Sequence, residues 1–261
     1  MRFRYVWISV GAIMVVVFLF SADPLARIAW QKYRAPEIAI TLDRTDAALA
    51  MQIGNYYFNG GAYDLEIAAH AYERANAIDP RVLWGHYQRA RILFIKGDFS
   101  GAIEEINREL LANPSNLRSL YVRGLIYGYH GDLDKAEDDF RSFTQWAPKE
   151  WAGYNDLAWI LEKRGKYKAA KDAIAKAFVE IPQANNNPWL WNSLGVAELN
   201  LGNHADAHNA FKRAQTLANS LTEADFRKSY PGNAPAEAGS GLKVFRDAIM
   251  ENLTTSGSVD K

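Results

Sequence analysis

Cysteine is absent from the 261-residue chain, which excludes disulfides, thiolate zinc sites and cysteine nucleophiles. Net charge is absent as well, because 30 basic residues balance 30 acidic ones, so no broad electrostatic attraction favours nucleic acid. A phosphate-binding loop is also missing, since Gly239-Ser240-Gly241 has no lysine at the required place. We therefore predict no nucleic-acid partner and no cofactor.

Charged residues are missing from one long stretch, Tyr5 to Ala22, which follows Arg2 and Arg4. As a helix its 18 residues would span about 27 Å, close to the hydrocarbon thickness of a bilayer. We predict that residues 1–23 form a transmembrane signal-anchor that contacts the lipid bilayer through residues 5–22. A cleaved signal peptide is an alternative that Phe20 disfavours, because cleavage sites carry small residues. A buried soluble helix is the other alternative.

The short basic N-terminus favours a cytoplasmic start to the chain, although Arg27, Lys32 and Arg34 follow the anchor on its other side. We predict a single-pass protein of the cell membrane, with everything after the anchor on the extracytoplasmic side.

A period of 34 residues runs through the rest of the sequence. Prolines repeat at Pro80, Pro114, Pro148 and Pro182, and glycines at Gly97, Gly131 and Gly165. Gly202 follows after 37 residues, and the asparagine run at 185–187 accounts for the difference. Small residues keep the same register at Gly54, Ala90, Gly124, Ala158 and Gly195, as do bulky ones at Tyr72, Ile106, Phe140, Ile174 and Phe211.

Each 34-residue repeat is predicted to form a helical hairpin. The glycine allows the left-handed turn between two helices, and the proline ends the second helix. Small residues occur where the two helices must approach closely. A fifth position class in the same register is the alanine of the second helix, at Ala68, Ala102, Ala136, Ala170 and Ala207. The five classes together make the pattern similar to the tetratricopeptide repeat family, and the resemblance covers roughly Asp46 to Asn219.

The predicted fold is all-α: about five tetratricopeptide-type hairpins stacked into a solenoid, with a capping helix after it and one transmembrane helix before it. A connector with a short helix occupies 24–44, the solenoid 45–219, a linker and capping helix 220–253, and a flexible tail 254–261. The predicted repeats span 45–80, 81–114, 115–148, 149–182 and 188–219.

The resemblance also implies a concave groove, lined by the first helix of each hairpin, that holds a peptide or a partner segment. By helix phase, the groove candidates are Trp84, Tyr87, Arg91, Phe94, Arg118, Tyr121, Leu125, Tyr129, Asn155, Trp159, Glu162, Trp189, Asn192 and Val196. We expect Asn155 and Asn192 to bond to a peptide backbone. For any one of these residues, packing in the core is the competing interpretation.

No motif predicts catalysis or a metal site. His204, Asp206 and His208 lie close in sequence, and the two histidines, four residues apart, share a helix face. Packing and solvated surface explain these residues better than a metal ion. The acidic pairs Glu104-Glu105 and Asp138-Asp139 are expected on outer, solvated helix faces.

We therefore expect a membrane-tethered scaffold that binds a protein or peptide segment and is not an enzyme. Two alternatives stay open. The chain could be a structural component of a cell-envelope complex, including a homo-oligomer, or an accessory that presents a substrate to a separate enzyme.

Overall fold

The computed structural model describes residues 22–59, 62–229 and 241–257, and all regular structure in these ranges is helical. The predicted anchor, residues 1–23, lies outside the described residues except for Ala22 and Asp23. Among the helices of the described ranges, none is long and apolar enough to cross a bilayer. The fold of the repeats is the predicted all-α solenoid of helical hairpins.

The chain divides into two compact units. The first comprises the described residues up to Ile92 together with Leu111–Asn113, and the second comprises Leu93–Leu110 and the described residues from Pro114 onward. Each unit is described separately below.

The first unit contains α1 (residues 22–31), α2 (Pro36–Leu42), α3 (Ala47–Asn59), α4 (Leu65–Ile78) and the start of α5 (Gly85–Ile95). Its core joins Trp30 of α1 to Ile40, Leu49 and Ile53. In the α3–α4 hairpin, a methyl group added to Gly54 would come within 2.6 Å of the Tyr72 ring. The small residue in the first helix therefore makes room for the bulky one in the second.

The second unit is the longer series of hairpins. Its helices are α6 (Phe99–Ala112), α7 (Leu117–His130), α8 (Leu133–Trp146), α9 (Trp151–Lys163), α10 (Tyr167–Glu180), α11 (Pro188–Asn200), α12 (His204–Ser220), α13 (Glu223–Ser229) and α14 (Leu242–Gly257). A short 3-10 helix, Pro182–Asn186, holds the extra residues of the asparagine run. Helix α14 continues through positions 254–257, where the sequence predicts a flexible tail.

Sequence periodicity and geometry agree at the turns and at the close approaches. Gly97, Gly131, Gly165 and Gly202 have φ of +81°, +99°, +69° and +80°, the left-handed conformation that glycine adopts without strain. A methyl group at Gly195 would come 2.5 Å from the Phe211 ring, so Phe211 packs directly on the backbone of α11. Gly124 and Phe140 repeat this arrangement in α7 and α8, at 3.0 Å.

Candidate functional site

We call α7, α9 and α11 the A helices of the second unit, since each is the first helix of its hairpin. Their shared surface, the A-helix face, carries an aromatic pair. The rings of Tyr129 on α7 and Trp159 on α9 are 5.2 Å apart, and both side chains are half-buried. Trp159 also lies against Gly128, where an added methyl group would be 2.7 Å from its ring. The Lys163 ammonium lies 5.2 Å from the Trp159 ring centre. The contact with Gly128 thus fixes the position of the pair, which remains partly open to solvent.

A chain of hydrogen bonds crosses the same face. The Tyr121 hydroxyl donates to Asp156 Oδ2 at 2.5 Å, and Asn155 Nδ2 donates to Asp156 Oδ1 at 3.1 Å. Ser193 Oγ donates to Asn155 Oδ1 at 3.0 Å. Burial raises the pKa of Asp156 to about 6, although both hydrogen bonds favour its charged form. Both polar ends of the Asn155 amide are therefore engaged within the protein.

These hydrogen bonds join corresponding positions of successive repeats. Tyr121, Asn155 and Asn192 stand at the same place in successive repeats. Tyr121 and Asn155 each bond to the residue one position further along in the next A helix, Asp156 and Ser193. Asn192 accepts from Asn252 Nδ2 at 3.2 Å, so α14 contributes the next bond of the series.

Glu162 stands one helical turn after Trp159 on α9, at a position that the sequence predicts to line the groove. Its Oε1 is buried and has no hydrogen-bond partner among the described residues. Burial alone raises the pKa of Glu162 to about 8. A buried acceptor without a partner is costly, so this oxygen is a ready acceptor for a ligand N–H or ammonium group.

The other predicted groove residues divide by burial. Tyr87, Phe94, Leu125 and Trp189 are buried, so their side chains contribute to packing. Those that are half-exposed, besides Tyr129 and Trp159, are Trp84, Arg91, Tyr121, Asn155, Glu162, Asn192 and Val196, and Arg118 is exposed.

In the first unit, the Arg91 guanidinium lies 4.6 Å from the Phe58 ring and donates to Gln88 Oε1 at 2.8 Å. Trp84 stacks edge-on against Tyr87 at 5.2 Å, and its backbone has a left-handed φ of +73°. That conformation is uncommon for a bulky residue and marks local strain at the start of α5.

The C-terminal segment covers the end of the A-helix face. The Trp189 ring is 5.4 Å from Trp151 and 5.1 Å from Phe245 of α14, and both pairs are stacked. Phe226 of α13 joins the same cluster. Because these rings enclose Trp189, this predicted groove residue is covered in the fifth repeat, whereas Tyr129 on α7 and Trp159 on α9 stay half-exposed.

The prediction that both members of each acidic pair lie on solvated outer faces is wrong. Only one member of each pair is exposed, because neighbouring residues of a helix point about 100° apart. Glu105 is buried and accepts from Arg108 at 3.0 Å. Asp139 is buried and accepts from Arg123 Nε at 2.8 Å. Burial raises the pKa of Asp139, and the Arg123 bond opposes that rise.

The histidine constellation does not come together as a metal site. His204 Nδ1 is buried without a hydrogen-bond partner among the described residues, and His208 Nδ1 faces Ser256 Oγ at 3.4 Å. Within the described ranges, no group of three histidine or acidic side chains is arranged to hold a metal ion.

Comparisons with known proteins agree with this architecture. Residues 121–188 match the tetratricopeptide repeat model. A DnaJ protein P58IPK homolog from Arabidopsis thaliana is 26% identical over 149 residues, covering 52% of this chain and 31% of that protein. The chain thus spans about a third of the length of this curated relative.

Solved structures share the fold at low identity. MamA from Desulfovibrio magneticus RS-1 has a TM-score of 0.60 and 18% identity, covering 67% of this chain and 96% of that one. YrrB, described as a TPR protein with an unusual peptide-binding site, has a TM-score of 0.58 and 17% identity, covering 71% of this chain and 93% of its own. The chain therefore has the tetratricopeptide-repeat fold, and its residues 121–188 carry repeats that match that family.

Proposed function

We propose that this protein is a non-enzymatic interaction module whose A-helix face binds a segment of another protein. One observation carries the proposal: the half-exposed pair Tyr129 and Trp159 lies on the same face as the unpartnered carboxyl oxygen of Glu162. Aromatic side chains held in place by their own protein dominate the energetics of many interfaces. The peptide-binding site described for YrrB, which shares the fold, supports the same function here.

The proposed roles follow from the contacts. Trp159 and Tyr129 offer ring surface to an apolar or cationic side chain of the bound segment. Glu162 accepts a hydrogen bond from a backbone N–H, a lysine or an arginine. Asn155 acts by position, because its amide joins α9 to α11 and holds Asp156 rather than meeting a peptide backbone.

We also propose that residues 5–22 tether the module to the cell membrane, with the repeats on the extracytoplasmic side. The support is the sequence itself, an uncharged stretch long enough to cross the hydrocarbon core and preceded by two arginines. A tether would raise the effective concentration of the module near partners in the same membrane.

Photo-crosslinking tests the binding face. A benzophenone amino acid replaces Trp159 in the full chain, and a matched variant carries it at Val179, an exposed position on α10. We expect a discrete crosslinked partner from position 159 that is reduced at least about tenfold when Tyr129→Ala is added, since hot-spot residues act together. Identical products from both positions would show that α7 and α9 do not form the binding surface.

Mass analysis of the crosslinked products tests the alternative of self-assembly. If position 179 yields a dimer of this chain and position 159 yields nothing, the protein works as a structural assembly component instead.

A further inference from the structure

The N-terminal end of the first unit exposes several apolar side chains within a short stretch of sequence. Leu25, Ile28, Tyr33 and Ile38 are 45%, 47%, 66% and 57% exposed. Isolated exposed apolar residues are ordinary, and others occur elsewhere in the described ranges. Four such residues between positions 25 and 38 form a concentration that the packing of the repeats does not require.

Helix α1 has two different sides. Ala26, Ala29 and Trp30 are buried in the core of the first unit. Leu25 and Ile28 are three residues apart, and Lys32 follows at the next turn, so these three share the opposite, exposed side. The Lys32 amide still donates to the Ile28 carbonyl at 3.0 Å, which extends the helical geometry to Lys32.

Contacts to the rest of the unit fix the orientation of this helix. Arg27 forms an ion pair with Asp46 at 2.5 Å, just before α3. The Arg44 amide donates to Asp23 Oδ1 at 2.6 Å. Because Asp23 and Arg27 hold one side of α1 to the segment before α3, Leu25 and Ile28 have a defined direction that packing within the unit leaves uncovered.

We infer that this exposed side of α1, together with Tyr33 and Ile38, rests on the bilayer at the boundary between headgroups and acyl chains. The inference builds on the proposed tether at residues 5–22. Leu25 and Ile28 stand only three and six residues beyond Ala22, the last residue of the proposed span, so α1 begins where the chain leaves the hydrocarbon core. A helix that lies along the membrane surface from that point brings both side chains into the interfacial zone, which is about 5–7 Å deep in each leaflet.

The polar residues of the surface suit an interface with anionic lipids. Lys32 Nζ lies 5.4 Å from the Tyr33 ring, and the Arg34 guanidinium lies 4.8 Å from the Trp30 ring. Tyrosine, lysine and arginine are the side chains that anchor protein segments at headgroup level. A stripe of apolar side chains bordered by such residues is the pattern of a helix that lies in the interface.

Because the chain has no cysteine, one introduced thiol can be labelled without background. The test uses the full chain in nanodiscs of phosphatidylcholine and phosphatidylserine, with an environment-sensitive fluorophore at Ile28→Cys and nitroxide lipids as quenchers. Val179→Cys, at an exposed apolar position of α10, is the matched control. We expect about half or more of the emission from position 28 to be quenched, and little of that from position 179.

A second label at Tyr33→Cys repeats the measurement at an independent position. If the chain stays with the nanodiscs but positions 28 and 33 are quenched no more than position 179, the bilayer contact is wrong while the tether stands. If the chain elutes apart from the nanodiscs, the tether is wrong and this inference falls with it. Disulfide-linked dimers formed at position 28 without quenching would assign the surface to a second copy of the chain and overturn the inference.

Discussion

The two units each end in an aromatic cluster, and the clusters differ in character. In the first unit, Trp30 is buried, meets Tyr56 edge-on at 5.3 Å and carries the Arg34 guanidinium on its ring. In the second unit, Trp189 is stacked against Phe245 at 5.1 Å within a cluster of rings and leucines. The first cluster is thus a mixture of rings and a cation, and the second is a stack of rings.

The difference follows from which helix supplies the tryptophan. Terminal hairpins of a repeat array lack a neighbour on one side, so an additional element must cover them. In the first unit the covering helix α1 brings its own tryptophan into the core. In the second, Trp189 belongs to a repeat helix, and α13 and α14 bring smaller rings to it. Damage to the covering elements should therefore cost more in the first unit.

The largest expected effect is that of Trp30→Ala. Removing a buried tryptophan leaves a large cavity among Ile40, Leu49 and Ile53, so the free energy of unfolding of the first unit should fall by about 3–5 kcal/mol. Chemical denaturation followed by circular dichroism measures the loss. Tyr33→Ala, at an exposed neighbour, is the control and should change little. Equal losses from both variants would contradict the assignment of Trp30 to the core.

Phe245→Ala tests the other cluster and should cost less, about 2 kcal/mol, because this ring is only half-buried and Trp189 keeps its contact with Trp151. The same denaturation experiment applies, with Val244→Ala as control at an exposed position of the same helix. A loss as large as that from Trp30→Ala would remove the distinction between the two clusters.

The pH dependence of stability sharpens the contrast, because in the second unit the carboxyl Oε1 of Glu162 is buried and has no hydrogen-bond partner in the part of the chain that the structure describes. Its pKa is raised from 4.5 to about 8, so between these values the unfolded chain loses a proton that the native protein keeps. Wild-type stability should therefore fall as pH rises through this window.

Glu162→Gln removes that titration. We expect the variant to be more stable than wild type by at least about 1 kcal/mol at pH 8.5 and nearly equal to it at pH 5. Thermal unfolding at the two pH values, with Glu150→Gln at an exposed position of the second unit as control, provides the measurement. A difference that shrinks as pH rises would contradict the buried position of the carboxyl.

The smallest expected effect is that of Tyr121→Phe, which removes the hydroxyl bond to Asp156 and should cost about 1 kcal/mol. That bond favours the ionised carboxylate, so its loss should raise the pKa of Asp156 above about 6. The cost should be larger at pH 7.5 than at pH 4.5, where Asp156 is protonated in both proteins. Carbon-detected NMR titration of Asp156 reports the shift, and an unchanged midpoint would show that Tyr121 does not bond to the carboxylate.

The hairpins could be predicted from the sequence because their determinants repeat at fixed spacing. A turn with positive φ favours glycine, so it appears in the sequence as a particular residue type at a fixed position. A helix on which a ring packs directly needs a small residue, as Gly195 and Phe211 illustrate. The direction in which a side chain points from its helix is harder to predict from the sequence, since an error of one residue rotates the predicted direction by about 100°. Leu125 and Phe94 are in the predicted groove phase, yet both are buried.

Two features left no local signal. Asp156 is buried and accepts from Tyr121, 35 residues away, and no spacing within α9 indicates that a carboxylate at this position is enclosed. The sequence predicts a capping helix where α14 lies, but nothing local indicates that its Asn252 meets Asn192, 60 residues away. In both cases the deciding partner comes from another helix, so the physical cause appears only once the helices are assembled.

The Asn192–Asn252 bond has a consequence for how this protein could be rebuilt. Asn192 stands at the position whose counterparts bond to the next A helix, but its partner belongs to α14. Arg246 also ties α14 to carbonyl groups at the end of α12, and Ile249 packs against Ala214 and Ala218 of that helix. A designer who lengthens the array would therefore keep α11, α12 and α14 together and insert additional repeats before α11. The number of repeats is in this sense adjustable, while the last hairpin and α14 form one part.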